Sequence, residues 1–386
     1  MQPLKNVKVI EFCSVAAGPF AGMLLADFGA DVIKVERPDG GDSLRSWPPL
    51  SDGFSENFAS LNRNKRSVTL NMKRPEDLEL ARQLVLEADV VLENNRPGVM
   101  DRLGLGYSWF EERRPELVYC SISAYGQKGP RSKEGGFDLT LQAISGIMGV
   151  TGEMGGAPVK CGVPLTDFCT GLYAAMAVIA ALQNVATGGK GTHIDVPMLG
   201  ASLAIAALQT SEYFGSGKDP RKLGSAHPRN APYQAFKAQD GYFAMAAGND
   251  ALWQAVCRAL ERPELADDPR FASTSLRAQN QEILRELLES QFATMTSEEL
   301  LLLFREAGVP CAPINTYSEA LADEQVEEMG WIQDIMLPGG ATTKTFGSPL
   351  RFSGQIPGIY RNPPSLGEHN SEILDGLRAQ LAEKDA

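Results

Sequence analysis

Asp167 is the side chain in this sequence whose type and surroundings best suit covalent chemistry. It opens an apolar run of helical spacing, within residues 162–171 (GVPLTDFCTG). A desolvated carboxylate aimed at a thioester can attack it and form a mixed anhydride. The alternative is an N-cap, in which the carboxylate accepts backbone N–H bonds at the start of the helix. Position alone leaves both roles open.

Histidine chemistry is disfavoured. The chain has three histidines (His193, His227 and His369), and none has a serine elbow or an HExxH partner nearby. His193 falls in a β-rich segment, where a hydrogen-bonded structural role is expected. We therefore expect no metal site.

The composition excludes several classes of protein. The formal net charge is −12, from 36 basic and 48 acidic residues, which disfavours nucleic acid or an anionic membrane as a partner. The six cysteines show no CxxC or zinc-like spacing, which indicates reduced thiols. The N-terminus lacks the features of an exported protein, and no run reaches the roughly 18 apolar residues of a membrane span. A cytoplasmic location is expected.

The elements that must position Asp167 follow a βαβ pattern. Residues 7–12 and 31–35 read as strands around a helix over 18–28, and the alternation repeats through residues 75–122. Strands alternating with helices predict a parallel sheet with helices on both faces. The first turn, residues 14–19 (SVAAGP), lacks the GxGxxG fingerprint of dinucleotide-binding folds.

The predicted fold class is α/β, with a doubly wound, Rossmann-like parallel sheet in a large domain and a smaller α+β domain. Residues 1–215 form the predicted large domain, which residues 340–386 complete. A segment rich in Gly, Pro and charge over 216–232 predicts a linker, followed by the small domain over 233–326 and a second linker over 327–339.

Short motifs spread along the chain point to one family. Residues 120–130 (CSISAYGQKGP), 136–138 (GFD), 142–146 (QAISG), 167–173 (DFCTGLY), 266–271 (ADDPRF), 308–315 (GVPCAPIN) and 367–370 (GEHN) occur in a characteristic order. In this order the chain resembles the class III CoA-transferases, the formyl-CoA transferase-like family related to carnitine CoA-transferases and α-methylacyl-CoA racemases. The resemblance covers essentially the whole chain.

The resemblance implies that Asp167 is acylated, first as a mixed anhydride and then as an aspartyl-CoA thioester. It implies coenzyme A and acyl-CoA as substrates, a small carboxylic acid as acceptor, and no prosthetic group. Family members form interlocked ring dimers, so we expect a homodimer. The anionic tetrahedral centres would need N–H donors, such as the backbone amides of a glycine-containing loop.

The family's CoA contacts fall on six positions here. Each basic residue among them has the alternative role of a solvated surface charge. Asn95 stands where the family usually has an aromatic residue. The six positions are Arg37, Leu70, Lys73, Asn94, Asn95 and Arg102.

Five further positions are candidates for substrate contact: Ala16, Phe137, Asp138, His227 and Arg229. Ala16 replaces a glutamine of the formyl-CoA enzymes, and the chain lacks their run of lid glycines. Asp138 matches an acidic residue near the active site of relatives, with a cap of the helix over 139–147 as its alternative. Residues 226–233 (AHPRNAPY) resemble relatives that use small dicarboxylates, and Arg229 could pair a distal carboxylate. Succinyl-CoA as donor and a C4 to C6 dicarboxylic acid as acceptor are therefore expected.

Two other functions compete with this one. α-Methylacyl-CoA racemases place a histidine where this chain has Phe137, because their reaction needs a titratable pair. Phe137 cannot exchange a proton, which disfavours racemisation. A non-catalytic nucleotide-binding α/β protein would explain the sheet but not the many matched loops.

Overall fold

A computed structural model describes residues 2–384, in two compact units. The first unit draws on Met1–Ile147, Lys160–Gly217 and Glu324–Ala386, and the second on Met148–Val159 and Lys218–Asp323. The second unit thus includes residues 148–159, which lie within the predicted large domain. The first unit also takes up residues 324–339.

A six-stranded sheet is the centre of the first unit. Its strands run in the order β5-β2-β1-β6-β7-β8, and every neighbouring pair is parallel, which confirms the predicted α/β fold with a parallel sheet. β12 and β13 form an antiparallel hairpin, of which β12 lies in the segment predicted to be a linker and β13 in the segment predicted to complete the large domain. The strands of the first unit are β1 (Lys8–Phe12), β2 (Asp31–Glu36), β3 (Leu50–Ser51), β4 (Phe54–Ser55), β5 (Arg66–Thr69), β6 (Val90–Glu93), β7 (Val118–Ser123), β8 (His193–Pro197), β12 (Ile332–Met336) and β13 (Thr342–Phe346).

Helices connect these strands. The apolar stretch that follows β8 forms two helices, because Ala206 leaves the helical conformation and divides it. The apolar pattern continues across this break, so no side chain signals it. The helices are α1 (Ala17–Asp27), α2 (Glu56–Asn62), α3 (Pro75–Leu86), α4 (Val99–Arg102), α5 (Tyr107–Phe110), α6 (Asp138–Ile144), α8 (Leu165–Ala186), α9 (Met198–Ile205), α10 (Ala207–Ser216), α16 (Glu324–Glu328) and α17 (Asn370–Lys384). One more short helix, α7 (Ile147–Val150), belongs to the second unit from Met148 onwards.

The sheet buries both of its faces. Successive strand residues point to opposite sides, so Val9 and Ile10 enter two different cores. One core includes α1 and α8, and the other includes α3 and α17. Helices therefore cover both faces, as the alternating pattern predicted.

α8 carries Asp167 and crosses α1 at close range. A Cβ atom on Gly171 would lie 2.7 Å from the carbonyl oxygen of Ala17, so this contact requires glycine. α8 is also long and apolar enough to cross a membrane by length and composition, although no such run was expected. A core helix passes the same test, and Ala174 and Val178 of α8 are buried in the core of the first unit.

The second unit has its own antiparallel sheet and core. Strands β9 (Tyr233–Lys237), β10 (Tyr242–Ala246) and β11 (Cys311–Pro313) pair in the order β11-β10-β9. Phe243, Phe292 and Phe304 pack edge to face or stacked in the core, with the Phe243 and Phe292 centroids 5.4 Å apart. The helices are α11 (Asp250–Ala259), α12 (Thr274–Gln279), α13 (Gln281–Phe292), α14 (Ser297–Glu306) and α15 (Tyr317–Leu321).

Candidate active site

The loops that follow three neighbouring strands meet at one edge of the parallel sheet. β1 lies between β2 and β6, so the chain reverses its direction of travel across the sheet there. Crevices outside the carboxyl ends of strands at such a point are the usual ligand sites of open α/β sheets. The loops after β1, β6 and β7 line one cavity at this edge, and the loops after β1, β2, β5 and β6 line a second one.

The first cavity contains Asp167 and has a volume of about 240 Å³. Small residues and backbone form much of its wall, which allows a ligand to approach the main chain closely. Four predicted substrate or CoA positions, Ala16, Asn94, Asn95 and Phe137, lie in this wall. The lining residues are Ser14, Val15, Ala16, Ala17, Asn94, Asn95, Arg96, Pro97, Ile122, Ser123, Ala124, Glu134, Gly135, Gly136, Phe137, Asp167 and Met198.

Asp167 lies in the first turn of α8 but does not cap it. It is the third residue of the helix, and Pro164 occupies the N-cap position without a side-chain cap bond. Within residues 2–384, no hydrogen bond or ion pair engages its carboxylate. Burial, followed by the negative charge of Asp138, raises the pKa of Asp167 to about 6. The N-cap alternative is therefore wrong, and the carboxylate is left available to a ligand.

Asp138 binds the start of α8 instead of capping its own helix. One of its carboxylate oxygens, Oδ1, accepts the Thr166 N–H at 2.9 Å and the Thr166 hydroxyl at 2.8 Å. The other, Oδ2, accepts from the Gln142 side chain at 2.7 Å. Asp138 is the first residue of α6, whose N-cap is Phe137, so a cap of residues 139–147 is not the role of this carboxylate. It orients the turn that carries Asp167.

Backbone amides supply hydrogen-bond donors to the same cavity. Ala16 and Ala17 stand at the N-terminus of α1, and in the part of the chain that is described their N–H groups donate to no protein acceptor. The same holds for the N–H groups of Gly135 and Gly136. Unpaired N–H groups at a helix N-terminus favour negative charge. Gly135 and Gly136 belong to the loop after β7, and Ala16 and Ala17 follow β1.

The second cavity has a volume of about 550 Å³ and lies beside the first. It shares Ser14 and Asn95 with the Asp167 cavity. Four of the predicted CoA positions line it: Arg37, Leu70, Lys73 and Asn95. Its remaining lining residues are Phe12, Cys13, Ser14, Val35, Glu36, Gly41, Asp42, Ser43, Asn71, Met72, Met100, Leu103 and Leu105.

Two basic residues differ from expectation. Arg102, at the end of α4, is exposed and lines neither of these two cavities. Arg96 lines the Asp167 cavity and was not selected from the sequence. Its guanidinium packs on Gly135, where a Cβ atom would lie 2.9 Å from Arg96 Nη2. Its position directly after Asn94 and Asn95, in the loop that follows β6, could have indicated Arg96 as a site residue.

The remaining candidates lie elsewhere. His227 and Arg229 belong to the second unit, in the turn before β9, where His227 Nδ1 accepts the backbone N–H of Arg229 at 3.2 Å. His193 Nε2 lies 2.9 Å from the Ser121 hydroxyl, and its ring stacks on Tyr107, which fits a structural role. Residues 2–384 contain no cluster of three His, Cys, Asp or Glu side chains able to hold a metal ion.

Comparison with known proteins gives a match over nearly the whole chain. The model of CoA-transferase family III matches residues 4–370. A succinyl-CoA:glutarate CoA-transferase of Mus musculus is 39% identical over 375 residues, which cover 97% of this chain and 86% of the mouse protein. A succinate–glutarate CoA-transferase of Agrobacterium fabrum is 38% identical over 383 residues, 97% of this chain and 96% of the relative.

The fold is also that of a solved structure. The crystal structure of a CaiB/BaiF family protein from Brucella suis superposes with a TM-score of 0.85 at 40% sequence identity. The superposition covers 98% of this chain and 99% of that one. Sequence and fold therefore agree along the full chain.

Proposed function

The chain belongs to CoA-transferase family III and is a CoA-transferase, and on that premise we propose that it moves CoA from succinyl-CoA to a dicarboxylic acid of four to six carbons, with Asp167 as the covalent nucleophile. One observation carries the proposal: the Asp167 carboxylate lies in a cavity and has no hydrogen-bond or ion-pair partner among residues 2–384. The names of the mouse and Agrobacterium relatives support succinyl-CoA as donor and glutarate as the first acceptor to test.

The reaction begins at the thioester. A carboxylate oxygen of Asp167 attacks the thioester carbonyl of succinyl-CoA, and the CoA thiolate leaves as the aspartyl–succinyl anhydride forms. The thiolate then attacks the Asp167 carbonyl of this anhydride, which gives aspartyl-CoA and releases succinate. The acceptor carboxylate attacks the aspartyl-CoA carbonyl, which expels the CoA thiolate and forms an anhydride between Asp167 and the acceptor. The thiolate finally attacks the acceptor's acyl carbonyl in this anhydride. These last steps release the new acyl-CoA and restore the Asp167 carboxylate.

The charge on Asp167 suits this role. With a pKa of about 6, the group is ionised at neutral pH, as a nucleophile must be. Burial and the nearby charge of Asp138 disfavour that ionised form, so the carboxylate gives up its charge in forming the anhydride more readily than a solvated carboxylate would.

The oxyanions of the tetrahedral centres need donors close to Asp167. We assign this role to the backbone N–H groups of Ala16 and Ala17, with those of Gly135 and Gly136 available on the opposite loop. Fixed amide dipoles stabilise developing negative charge without reorganising, which is typically among the larger contributions to catalysis.

The two neighbouring cavities suit the two ends of acyl-CoA. We assign the nucleotide to the larger cavity, where Arg37 and Lys73 supply positive charge for the phosphates and Leu70 contributes apolar contact. The thioester would then reach Asp167 past Ser14 and Asn95, which line both cavities. Arg96 adds a further cation on the Asp167 side.

The acceptor's second carboxylate requires a cation of its own. We propose Arg229, with His227 beside it, because a guanidinium binds a carboxylate bidentately. We also propose a homodimer of the interlocked type, and the exposed apolar side chains on α8 and α10, including Leu172, Met176 and Phe214, support a subunit interface. We also propose that the enzyme is cytoplasmic.

A panel of free acids tests the substrate. Purified enzyme is incubated with succinyl-CoA and, one at a time, glutarate, other C4 to C6 dicarboxylates and matched monocarboxylates, and the CoA products are identified by mass spectrometry. We expect the new CoA ester with dicarboxylates and little with monocarboxylates. No turnover above background with any dicarboxylate would contradict the proposed substrates, and Arg229→Ala should remove the preference for dicarboxylates.

A further inference from the structure

A group of fully buried charges lies beneath the loop that lines the Asp167 cavity. Lys34 Nζ lies 2.9 Å from Glu11 Oε1 and 3.0 Å from Asp42 Oδ2, and Lys65 Nζ lies 2.8 Å from Glu11 Oε2. None of these four side chains exposes more than 1% of its surface. The Glu11 carboxylate packs so closely on α1 that a glycine is required there, because a Cβ atom on Gly22 would lie 1.9 Å from Glu11 Oε2.

Such a group is a poor device for stability alone. Removing charges from water costs more than their mutual attraction often returns, and apolar residues of similar volume do as well or better. Burial alone would lower the pKa of Lys34, but the charges of Glu11, Asp42 and Glu36 outweigh it and raise that pKa above its usual value. Lys34 therefore remains a cation whose partners are fixed in place.

Asp42 connects this group to the cavity. Its two carboxylate oxygens accept the Val15 N–H at 3.1 and 3.2 Å, and Oδ1 also accepts the Leu44 N–H at 3.0 Å. Val15 has a φ of +66°, in the left-handed region that a β-branched residue rarely occupies. The Val15 conformation is thus unfavourable by itself, and the Asp42 carboxylate is the group that holds it.

The turn at Val15 decides where the next amides point. Val15 is followed directly by Ala16 and Ala17, which line the Asp167 cavity and whose N–H groups donate to no protein acceptor in the described part of the chain. On its other side the turn is fixed by Asn94, which accepts the Ser14 N–H at 3.0 Å and donates to the Ser14 carbonyl at 2.8 Å.

We propose that Asp42, held by buried Lys34, is a positioning residue that keeps Val15 left-handed and so aims the Ala16 and Ala17 amides at the oxyanion formed on Asp167. The inference rests on the proposed function, since it assigns a reaction to those amides. Asp42 itself touches no reacting atom in this scheme.

The first test is Asp42→Asn, with Asp27→Asn as the matched control. Asp27 forms an equally buried ion pair with Arg63, at 2.7 Å, but lies at the far end of α1. We expect Asp42→Asn to lower kcat by about 10- to 100-fold, because the Ala16 and Ala17 amides would no longer be held in position for the oxyanion. The KM for succinyl-CoA should change less than about threefold. Asp27→Asn should leave kcat within about twofold, whatever it does to thermal stability. A kcat near the wild-type value in folded Asp42→Asn would overturn the proposal.

The second test adds Val15→Gly, because glycine adopts a positive φ without the help of Asp42. In a double-mutant cycle, Val15→Gly should raise the kcat of Asp42→Asn at least about fivefold, a larger gain than the same change gives the wild type. A merely structural defect would not respond in this way. If Val15→Gly restores nothing, the effect of Asp42 does not pass through the turn and the proposal is wrong.

Amide hydrogen exchange separates this inference from the proposed function. Without substrate, the Val15 amide should exchange at least about tenfold faster in Asp42→Asn than in the wild type or in Asp27→Asn. Unchanged exchange would overturn the positioning role even if the enzyme transfers CoA. Failure of the wild type to transfer CoA would contradict the proposed function, and the exchange result would still decide how the turn is held.

Discussion

The two neighbouring cavities of the first unit differ in what they offer a ligand. The larger one combines basic side chains at its rim with apolar residues such as Met100 and Leu105, and it is suited to hold a part of the substrate that does not react. The smaller one combines a partner-free carboxylate with unpaired amides. Contacts of the first kind strengthen the ground state and the transition state alike, whereas contacts of the second kind act on the rate. Binding and chemistry are therefore assigned to different cavities.

The largest effect expected from this division is at Asp167. Asp167→Ala and Asp167→Asn should each lower kcat at least about 1,000-fold, because no other carboxylate lines the cavity except Glu134, which belongs to a different loop. The KM for succinyl-CoA should change little, since the nucleotide cavity is untouched. Steady-state kinetics of both variants checks this, with mass analysis of the asparagine variant to exclude deamidation. Retention of full activity would remove the distinction between the two cavities.

The next effect is expected at Asp138. Asp138→Asn removes the negative charge that helps to raise the pKa of Asp167, while an amide oxygen can still accept the Thr166 N–H. In the wild type, kcat/KM should rise with pH through about 6, as Asp167 ionises. In Asp138→Asn this midpoint should move to lower pH, with kcat lowered about tenfold by the weaker nucleophile. A profile whose midpoint does not move would exclude electrostatic coupling between the two carboxylates.

Arg37 tests the binding side of the comparison. Arg37→Ala should raise the KM for succinyl-CoA about tenfold, because the variant loses one charge-assisted contact to a phosphate. Its kcat should be unchanged. Arg113→Ala is the control, since Arg113 stacks on Trp109 and lines neither cavity. A fall in kcat without a change in KM would place Arg37 on the chemical side instead.

The smallest effect expected is on stability. The folded state raises the pKa of Asp167 from 3.8 to about 6, so ionisation there opposes folding above about pH 6. Asp167→Asn should therefore unfold at a higher temperature than the wild type at pH 8. The difference should shrink as pH falls from 6 towards 3.8, because the wild-type group becomes protonated. Thermal unfolding of both proteins at about pH 8 and near pH 3.8 measures this difference. An Asp167→Asn variant that is less stable than the wild type at about pH 8 would contradict the burial of a charged nucleophile.

Local patterns predicted the sheet well. The apolar runs at Val9, Ile33 and Val91 are short and rich in residues that favour strands, and segments with helical periodicity separate them. The parallel arrangement therefore followed from the sequence pattern alone. β5 was missed because its run, Arg66–Thr69, is short and largely polar. The hairpin of β12 and β13 was missed because Gly and Pro around it indicated a loop.

The contacts that define the site could not be predicted in the same way. The bond between Asp138 and Thr166 joins residues 28 positions apart, and the bond from Val15 to Asp42 joins residues 27 apart. Neither leaves a periodic signal in the sequence. Family motifs pointed to Asp167 and to Arg37, but only the folded chain shows that Asp138 binds the start of α8 and that Asp42 holds the turn at Val15.

The covalent intermediate is the most direct test of the account. Wild-type enzyme is mixed with succinyl-CoA without an acceptor acid, quenched rapidly and measured as intact protein, followed by peptide mapping. We predict an adduct with the mass of CoA less one water on the peptide that contains Asp167, lost when glutarate is added and absent from Asp167→Ala. An enzyme that transfers CoA without any such adduct, or an adduct on another residue, would contradict the central role of Asp167.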